Sequence, residues 1–488
     1  MDKVNRGAPR LARLVAAILG FSMVLCSRIS AQTITRSNPR IPAELSIALR
    51  TAANAFDWSP DGRKLAYTDA EGLLVANAGA VAKAARIFAS GGTSDPLWSP
   101  EGHSLAFIAP RKDRGSPTIW VTNEDGRSAR DVLPLDGSVG VWMLSAWLNP
   151  HEIAFEQRCG TGCVELDKVD LQTGKAYIFC VGKGPFYWSP DRSRAIVNNL
   201  SSGPNPQGLG MVDSSQLTTV SPNSASSNIR ECRSDFEGCA PSGDHPAGPR
   251  TADNELYNFD SWAPNSKRAL YTGLSCPDVE QGGDLYVWDM ATGQRTRVLY
   301  DGALGVWSPS GSAIAFLLFG SPQYTETGKL AGGNFIPASK PEIYVGSVAG
   351  GATSIGRVID LCPAKEPWLP IEHPLWSPNS ERLIVRDADG NLLLFTADGK
   401  KKTMLLEGWK GVVTLAYYMR GEASWSPDGK WISILVQEMH SPDSGPAGDV
   451  GRPSGASLGF GGAIGSPGAA SAQPTFTQVL YVIANPKL

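Results

Sequence analysis

The sequence predicts an all-β protein, a β-propeller of eight four-stranded blades closed by an N-terminal strand, with seven blades as the alternative. Three observations predict it. A Trp-Ser-Pro turn motif recurs eight times along 488 residues, two of the copies degenerate. A second apolar segment ending in a tight turn follows each copy. The composition, 53 Gly and 36 Pro with 19% charged residues, suits a chain of many turns better than a helical one.

From the N-terminus, residues 1–31 read as a secretory signal. Lys3, Arg6, Arg10 and Arg13 form a basic start, and LVAAILGFSMVLC (14–26) is an uncharged apolar run of 13 residues. That length suits a signal core and is short for a bilayer span. Cleavage is expected after Ala31, with an uncleaved anchor as the alternative. Leu25 ahead of Cys26 argues against a lipoprotein signal. No later segment is long enough to be transmembrane, so no membrane span is expected after signal removal. The signal takes five basic residues and one acidic one, leaving 39 basic against 46 acidic, a net charge of −7. No basic cluster stands out, which argues against a nucleic-acid partner. The expected location is periplasmic or secreted, in a bacterium.

Residues 32–43 read as a linker and 44–488 as the propeller. The repeats are FDWSPDGRKLAY (56), PLWSPEGHSLAF (96), SAWLNPHEIAF (145), FYWSPDRSRAIV (186), DSWAPNSKRALY (260), GVWSPSGSAIAF (305), PLWSPNSERLIV (374) and ASWSPDGKWISI (423). Their tryptophans are Trp58, Trp98, Trp147, Trp188, Trp262, Trp307, Trp376 and Trp425, spaced by 40, 49, 41, 74, 45, 69 and 49 residues. The short spacings define the unit, and the long ones are that unit with insertions. Segments such as TIWVTNEDGRSARDVL (118–133) and DLYVWDMATGQRTRVL (284–299) supply the second half of each unit. One repeat is therefore strand a ending in Trp, a tight turn, strand b, a loop, strand c, a second tight turn and strand d. Pro presets the first corner of a type I turn, Asp or Asn suits the next, and Gly takes the left-handed position that closes the hairpin. The Trp before the turn fills the wedge between sheets. Copies three and five (WLNP, WAPN) depart from the pattern and are the ones expected to fold outside the ring if any does.

The last blade holds WISILV and TQVLYVIA (477–484) but no strand d. ELSIALR (44–50) is expected to supply it and remove the open edge at the seam. The a–b and c–d turns are short. Extra sequence enters between strands b and c (156–165, 273–283, 319–341, 437–475) and between d and a (222–258, 360–373), so every insertion is expected on one face. That face is the expected site of function. The cysteines expected outside the signal fall there too. Cys232 and Cys239 are expected to pair locally; Cys159 and Cys163 are close enough to pair, with Cys180 as the other choice for one of them. The stretch 440–474 is low-complexity Gly, Pro, Ala and Ser and is expected to hold no site.

The WSPDG strand followed by an IYV-type strand resembles the TolB-type family of propeller repeats, over nearly all of the chain after the signal. The resemblance implies a propeller that binds protein partners. TolB-type proteins carry a separate N-terminal α/β domain, for which residues 32–55 are too short, so a Tol–Pal role is not carried over. TolB-type propellers also precede hydrolase domains in prolyl-oligopeptidase-like enzymes. Residues 475–488, after the final loop, are needed for the last strand and leave no room for such a domain.

No catalytic residue is assigned. GASLG (455–459) matches a nucleophile pattern but lacks the strand and helix that would hold its Ser on an elbow. DADGN (387–391) lacks the spaced ligands of a calcium loop. The five histidines, His103, His151, His245, His373 and His440, show no metal-ligand spacing, and no metal or cofactor is expected. Arg230, Arg233, Asp235, Tyr257, Asp278, Tyr324, Trp368 and His373 are the candidate ligand-binding residues of the insertion face, chosen because Arg and aromatic side chains anchor interfaces. The expected role is a non-catalytic binding or scaffold module of the bacterial envelope with a protein partner. The alternative is a propeller enzyme, a lyase or hydrolase acting on polysaccharide at the channel mouth.

Overall fold

Seven of the eight repeat tryptophans end the first strand of their own antiparallel sheet, and Trp147 lies two residues before the end of its strand. The computed structural model describes residues 39–111, 116–133, 141–160, 163–182, 185–199, 208–214, 255–275, 284–300, 302–318, 321–324, 330–334, 342–348, 355–360, 373–386, 391–408, 423–440 and 475–486. Blade 1 is Ala55–Trp58, Lys64–Asp69, Gly72–Asn77 and Ala85–Ala89. Blade 2 is Ser94–Trp98, Ser104–Pro110, Pro117–Asn123 and Arg130–Asp131. Blade 3 is Val141–Asn149, Glu152–Gly160, Cys163–Asp170 and Ala176–Gly182. Blade 4 shows Phe186–Trp188, Arg194–Asn199 and Gly208–Asp213 among the described residues. Blade 5 is Glu255–Trp262, Arg268–Ser275, Asp284–Asp289 and Arg295–Leu299. Blade 6 is Gly302–Trp307, Ala313–Leu318, Glu342–Val348 and Ile355–Asp360, and blade 7 is Leu375–Trp376, Arg382–Arg386, Leu392–Thr396 and Lys402–Leu406. Blade 8 joins Ala423–Trp425, Trp431–His440 and Thr475–Ala484 to the N-terminal strand Ile47–Ala52.

The ring closes in both the hydrogen bonds and the core. Ile47–Ala52 runs antiparallel to Thr475–Ala484, with Arg50 opposite Tyr481 and Thr51 opposite Leu480. Eight apolar clusters each join two consecutive blades, and the cluster of Leu49, Trp58, Tyr67, Leu480 and Val482 joins the eighth to the first. Blades 3 and 5 stand inside this ring despite their altered motifs. Seven repeat tryptophans are buried and Trp262 is half-buried. Each packs toward the preceding blade. In four copies the indole N–H donates to the carbonyl just before the preceding blade's Trp: Trp147 to Leu97 (3.1 Å), Trp262 to Tyr187 (2.8 Å), Trp376 to Val306 (3.0 Å) and Trp425 to Leu375 (3.4 Å). Trp58 and Trp188 donate instead to hydroxyls of the preceding blade, Ser433 (3.0 Å) and Ser145 (2.9 Å).

The Ser and Asp of the motif are structural. In blade 1 the buried Ser59 Oγ accepts the N–H of Lys64 (2.8 Å) and donates to Asp61 (2.7 Å), which accepts the N–H of Arg63 (3.0 Å). The Arg63 amide, then Ser59, hold the Asp61 carboxyl below its ordinary range. The same arrangement repeats at Ser189–Asp191, Ser377–Asn379 and Ser426–Asp428. The next corner has positive φ in Gly62, Gly102, Gly311 and Gly429, but also in Arg192, Ser266 and Ser380.

Three stretches read as insertion loops are paired. Residues 156–165 continue strands b and c of blade 3, with Gln157 opposite Glu165 and Gly160 opposite Cys163. The ends of 437–475 lengthen blade 8 until His440 pairs with Thr475. Within 319–341, Ser321–Tyr324 and Leu330–Asn334 form a hairpin of their own, the second strand beside the outer strands of blades 5 and 6. The described end of the linker is docked too: Arg40 bridges Glu407, and Ile41 is buried between blades 7 and 8.

Candidate functional site

The two faces of the ring differ. On the a–b side, neighbouring turns touch. Ser266 Oγ accepts the N–H of Asp191 from the preceding blade's turn (3.0 Å), and Ser380 Oγ that of Ser310 (2.9 Å). A Cβ on Gly62 would come within 2.8 Å of the Asp428 nitrogen. His103 and His151 lie in these turns. The b–c and d–a ends carry the longer hairpins and the extra hairpin of blade 6.

Strand a is the inner edge of every sheet, so its N–H groups facing the preceding blade need acceptors from outside the ladder. Acidic side chains supply several. Asp57 accepts the N–H of Trp98 (2.8 Å), Asp95 that of Leu144, Glu156 that of Phe186 (3.2 Å) and Asp260 that of Gly305 (3.2 Å). Asp95 itself has φ 51°, and Leu304, beside Gly305, has φ 52°. Both sit at irregularities in strand a, where a non-glycine residue pays steric strain.

Asp260 is the point where this wall meets a predicted site residue. Its Oδ2 also accepts the Thr272 hydroxyl (2.7 Å), while its Oδ1 lies 3.6 Å from Nε2 of His373 on the approach to blade 7. The Asp260 side chain is 1% exposed and that of His373 41%. Between blades 2 and 3, Asp167 is buried beside Gln157, which donates to it. Burial, then the neighbouring Glu165 charge, push the Asp167 carboxyl up to about 8. At the rim of blade 5, Arg297 pairs with buried Asp284 (3.0 Å) and stacks on exposed Tyr300 at 3.8 Å.

Of the predicted residues, His373 is brought to this wall. Tyr257 lies in strand a of blade 5 opposite Gly273, not in a loop, and Tyr324 lies in the extra hairpin opposite Leu330. Cys159 and Cys163 flank the b–c turn of blade 3. Arg230, Arg233, Asp235, Asp278, Trp368, Cys232 and Cys239 lie outside the described residues, as do GASLG and most of DADGN. Among the described residues no three His, Cys, Asp or Glu side chains converge as metal ligands. The reading missed Asp95 and Asp260. Their signal was a charge two or three residues before Trp, in a strand expected to be apolar.

No family model matches the chain, and no curated protein does. Among solved structures, TolB from Acinetobacter baumannii is 15% identical, over 73% of this chain and 79% of that one, with a TM-score of 0.33. An oligogalacturonate lyase in complex with manganese is 12% identical, over 77% and 97%, with a TM-score of 0.42. The tricorn protease is 13% identical, over 76% and 36%, with a TM-score of 0.39. The eight-bladed fold stands on the strand pairing and inter-blade packing described above, and these likenesses carry nothing about activity.

Proposed function

We propose that this chain is a non-catalytic binding propeller of the bacterial envelope, and that it recognises a protein partner through its b–c and d–a face. One observation carries the reading: among the described residues the lengthened and added hairpins open on that face, while the a–b turns of the opposite face are short and three neighbouring pairs of them touch. Function concentrates where a rigid scaffold presents variable connections. Residues 1–31 serve as the signal that delivers the chain. Among the described residues no helix is long and apolar enough to cross a membrane. Secreted protein should begin at Gln32 by N-terminal sequencing.

The test is a crosslinking capture from the envelope fraction. The chain is run beside a variant with residues 224–254 replaced by a short Gly-Ser loop. A protein captured by the first and lost by the second supports the reading. Identical captures, or none, overturn it. The second reading, an enzyme on polysaccharide, is favoured by the exposed His373 beside a buried carboxylate. It predicts glycan cleavage that His373→Ala abolishes.

A further inference from the structure

The eight inner strands carry one sign of charge. Among their described residues Asp57, Asp95, Glu255 and Asp260 are acidic and none is Lys or Arg. Most of this charge is absorbed locally, since Asp57 and Asp95 accept N–H groups of the next blade. Asp260 is different. Its Oδ2 takes both the Thr272 hydroxyl and the Gly305 N–H. Its Oδ1 is buried with no hydrogen-bond donor among the described residues. The group facing it, His373 Nε2, stands at 3.6 Å, beyond hydrogen-bond length. A buried carboxylate oxygen without a donor is costly, more so than a neutral polar atom. The strained Leu304 backbone adds to the picture. Its bulge directs the Leu304 N–H to Thr272 Oγ1 (3.3 Å) and the Gly305 N–H to Asp260 Oδ2, saturating one oxygen and leaving the other.

We propose that Asp260 Oδ1 is the acceptor for an ammonium group of a ligand, which enters on the loop side of the channel wall and displaces the His373 ring. The proposal rests on the reading of that face as the binding face and names the chemistry it takes. Ammonium fits better than guanidinium. Guanidinium binds carboxylates most strongly through both oxygens, and Oδ2 is already occupied, whereas an ammonium is a compact charge that a single oxygen can hold. The His373 ring, 41% exposed and 3.6 Å from Oδ1, stands where the ammonium would bind, so it competes with the ligand rather than assisting it.

The experiment is calorimetric titration of the full chain with spermidine and, separately, with acetyl-Gly-Lys-Gly-amide, at fixed low salt. Wild type, Asp260→Asn and His373→Ala are compared. Asparagine keeps an oxygen for Thr272 and Gly305, so Asp260→Asn retains the fold, which its melting curve checks. Ammonium binding should weaken about tenfold or more in Asp260→Asn, as expected for loss of a charged acceptor. It should tighten in His373→Ala, and methylguanidine should bind more weakly than methylamine. Binding by the peptide alone marks a protein lysine as the source; binding by spermidine alone marks a free polyamine. Equal affinity in Asp260→Asn, weaker binding in His373→Ala, or no binding by wild type overturns the proposal. If the capture experiment succeeds while titration shows no ammonium binding, the binding-face reading stands and this inference falls. Ammonium binding with no captured partner has the opposite meaning.

Discussion

Gly62 and Arg192 occupy the same corner of the same turn, at φ 69° and 61°. Glycine is at home there, while an arginine Cβ is not. Arg192→Gly should therefore relieve about 0.5–1 kcal/mol of backbone strain, read in a urea melt against Arg192→Ala, which loses the same side chain and keeps the strain. Ser380→Gly should bring no such gain, because Ser380 Oγ accepts the Ser310 N–H from the neighbouring turn. Gly62→Ala should cost about 1–2 kcal/mol, since the new Cβ meets the Asp428 backbone as well as the strained φ. Asp167 makes a pH prediction. Its folded pKa is raised from 3.8 to about 8 by burial and by Glu165. The folded state thus prefers the protonated acid, and the stability this gives is full below about pH 4 and lost as pH rises through about 8. Asp167→Asn should flatten that decline, and melts across this range check it. None of this was legible at Asp167 in the sequence, where VELDKVD reads as an ordinary half-exposed strand; burial against blade 2 creates the shift.

The repeated Trp hairpin is the unit of the fold, and it was legible because its turn chemistry is local. The indole's partner was not, since it belongs to another blade. Trp376→Phe keeps most of the packing but removes the donor to the Val306 carbonyl, and should cost about 1–2 kcal/mol. Trp376→Ala should cost about 3–5 kcal/mol through the cavity it leaves. Shifts in denaturation midpoint separate the two. Strand ends were harder to read. EQRCGTGCVE is polar and glycine-containing, so periodicity gave a loop, yet Gln157 pairs with Glu165 and Arg158 with Val164. A hairpin that extends beyond the core needs no apolar face to hold its ladder, and Arg158 stacks instead on Trp142 at 4.7 Å.

At the scale of the ring, closure depends on the N-terminal strand. Arg50 reaches Glu438 (2.6 Å) and the hydroxyl of Tyr481 (3.0 Å), which donates in turn to Glu438 (2.6 Å). Glu438 is buried while Arg50 is largely exposed. Arg50→Ala leaves that carboxylate short of its cation and should destabilise by about 1–3 kcal/mol. Deleting residues 1–52 is more drastic. It bares Thr475–Ala484 as a ten-residue edge strand, and size-exclusion chromatography should show larger assemblies than the full chain forms.

What the sequence determined by itself was the repeat: eight Trp turns, the alternation of short turns with longer connections, and the N-terminal strand that completes the last blade. These depend on turn residues and apolar patterns within a few positions, which any reader of the chain can see. The tertiary structure alone decided which side chains meet. Asp260 and His373 are 113 positions apart on blades 5 and 7, and only the circular packing of sheets sets them against each other. The same closure makes Asp167 a buried acid and Glu438 a latch, because desolvation belongs to the interface between two blades and is written in neither one.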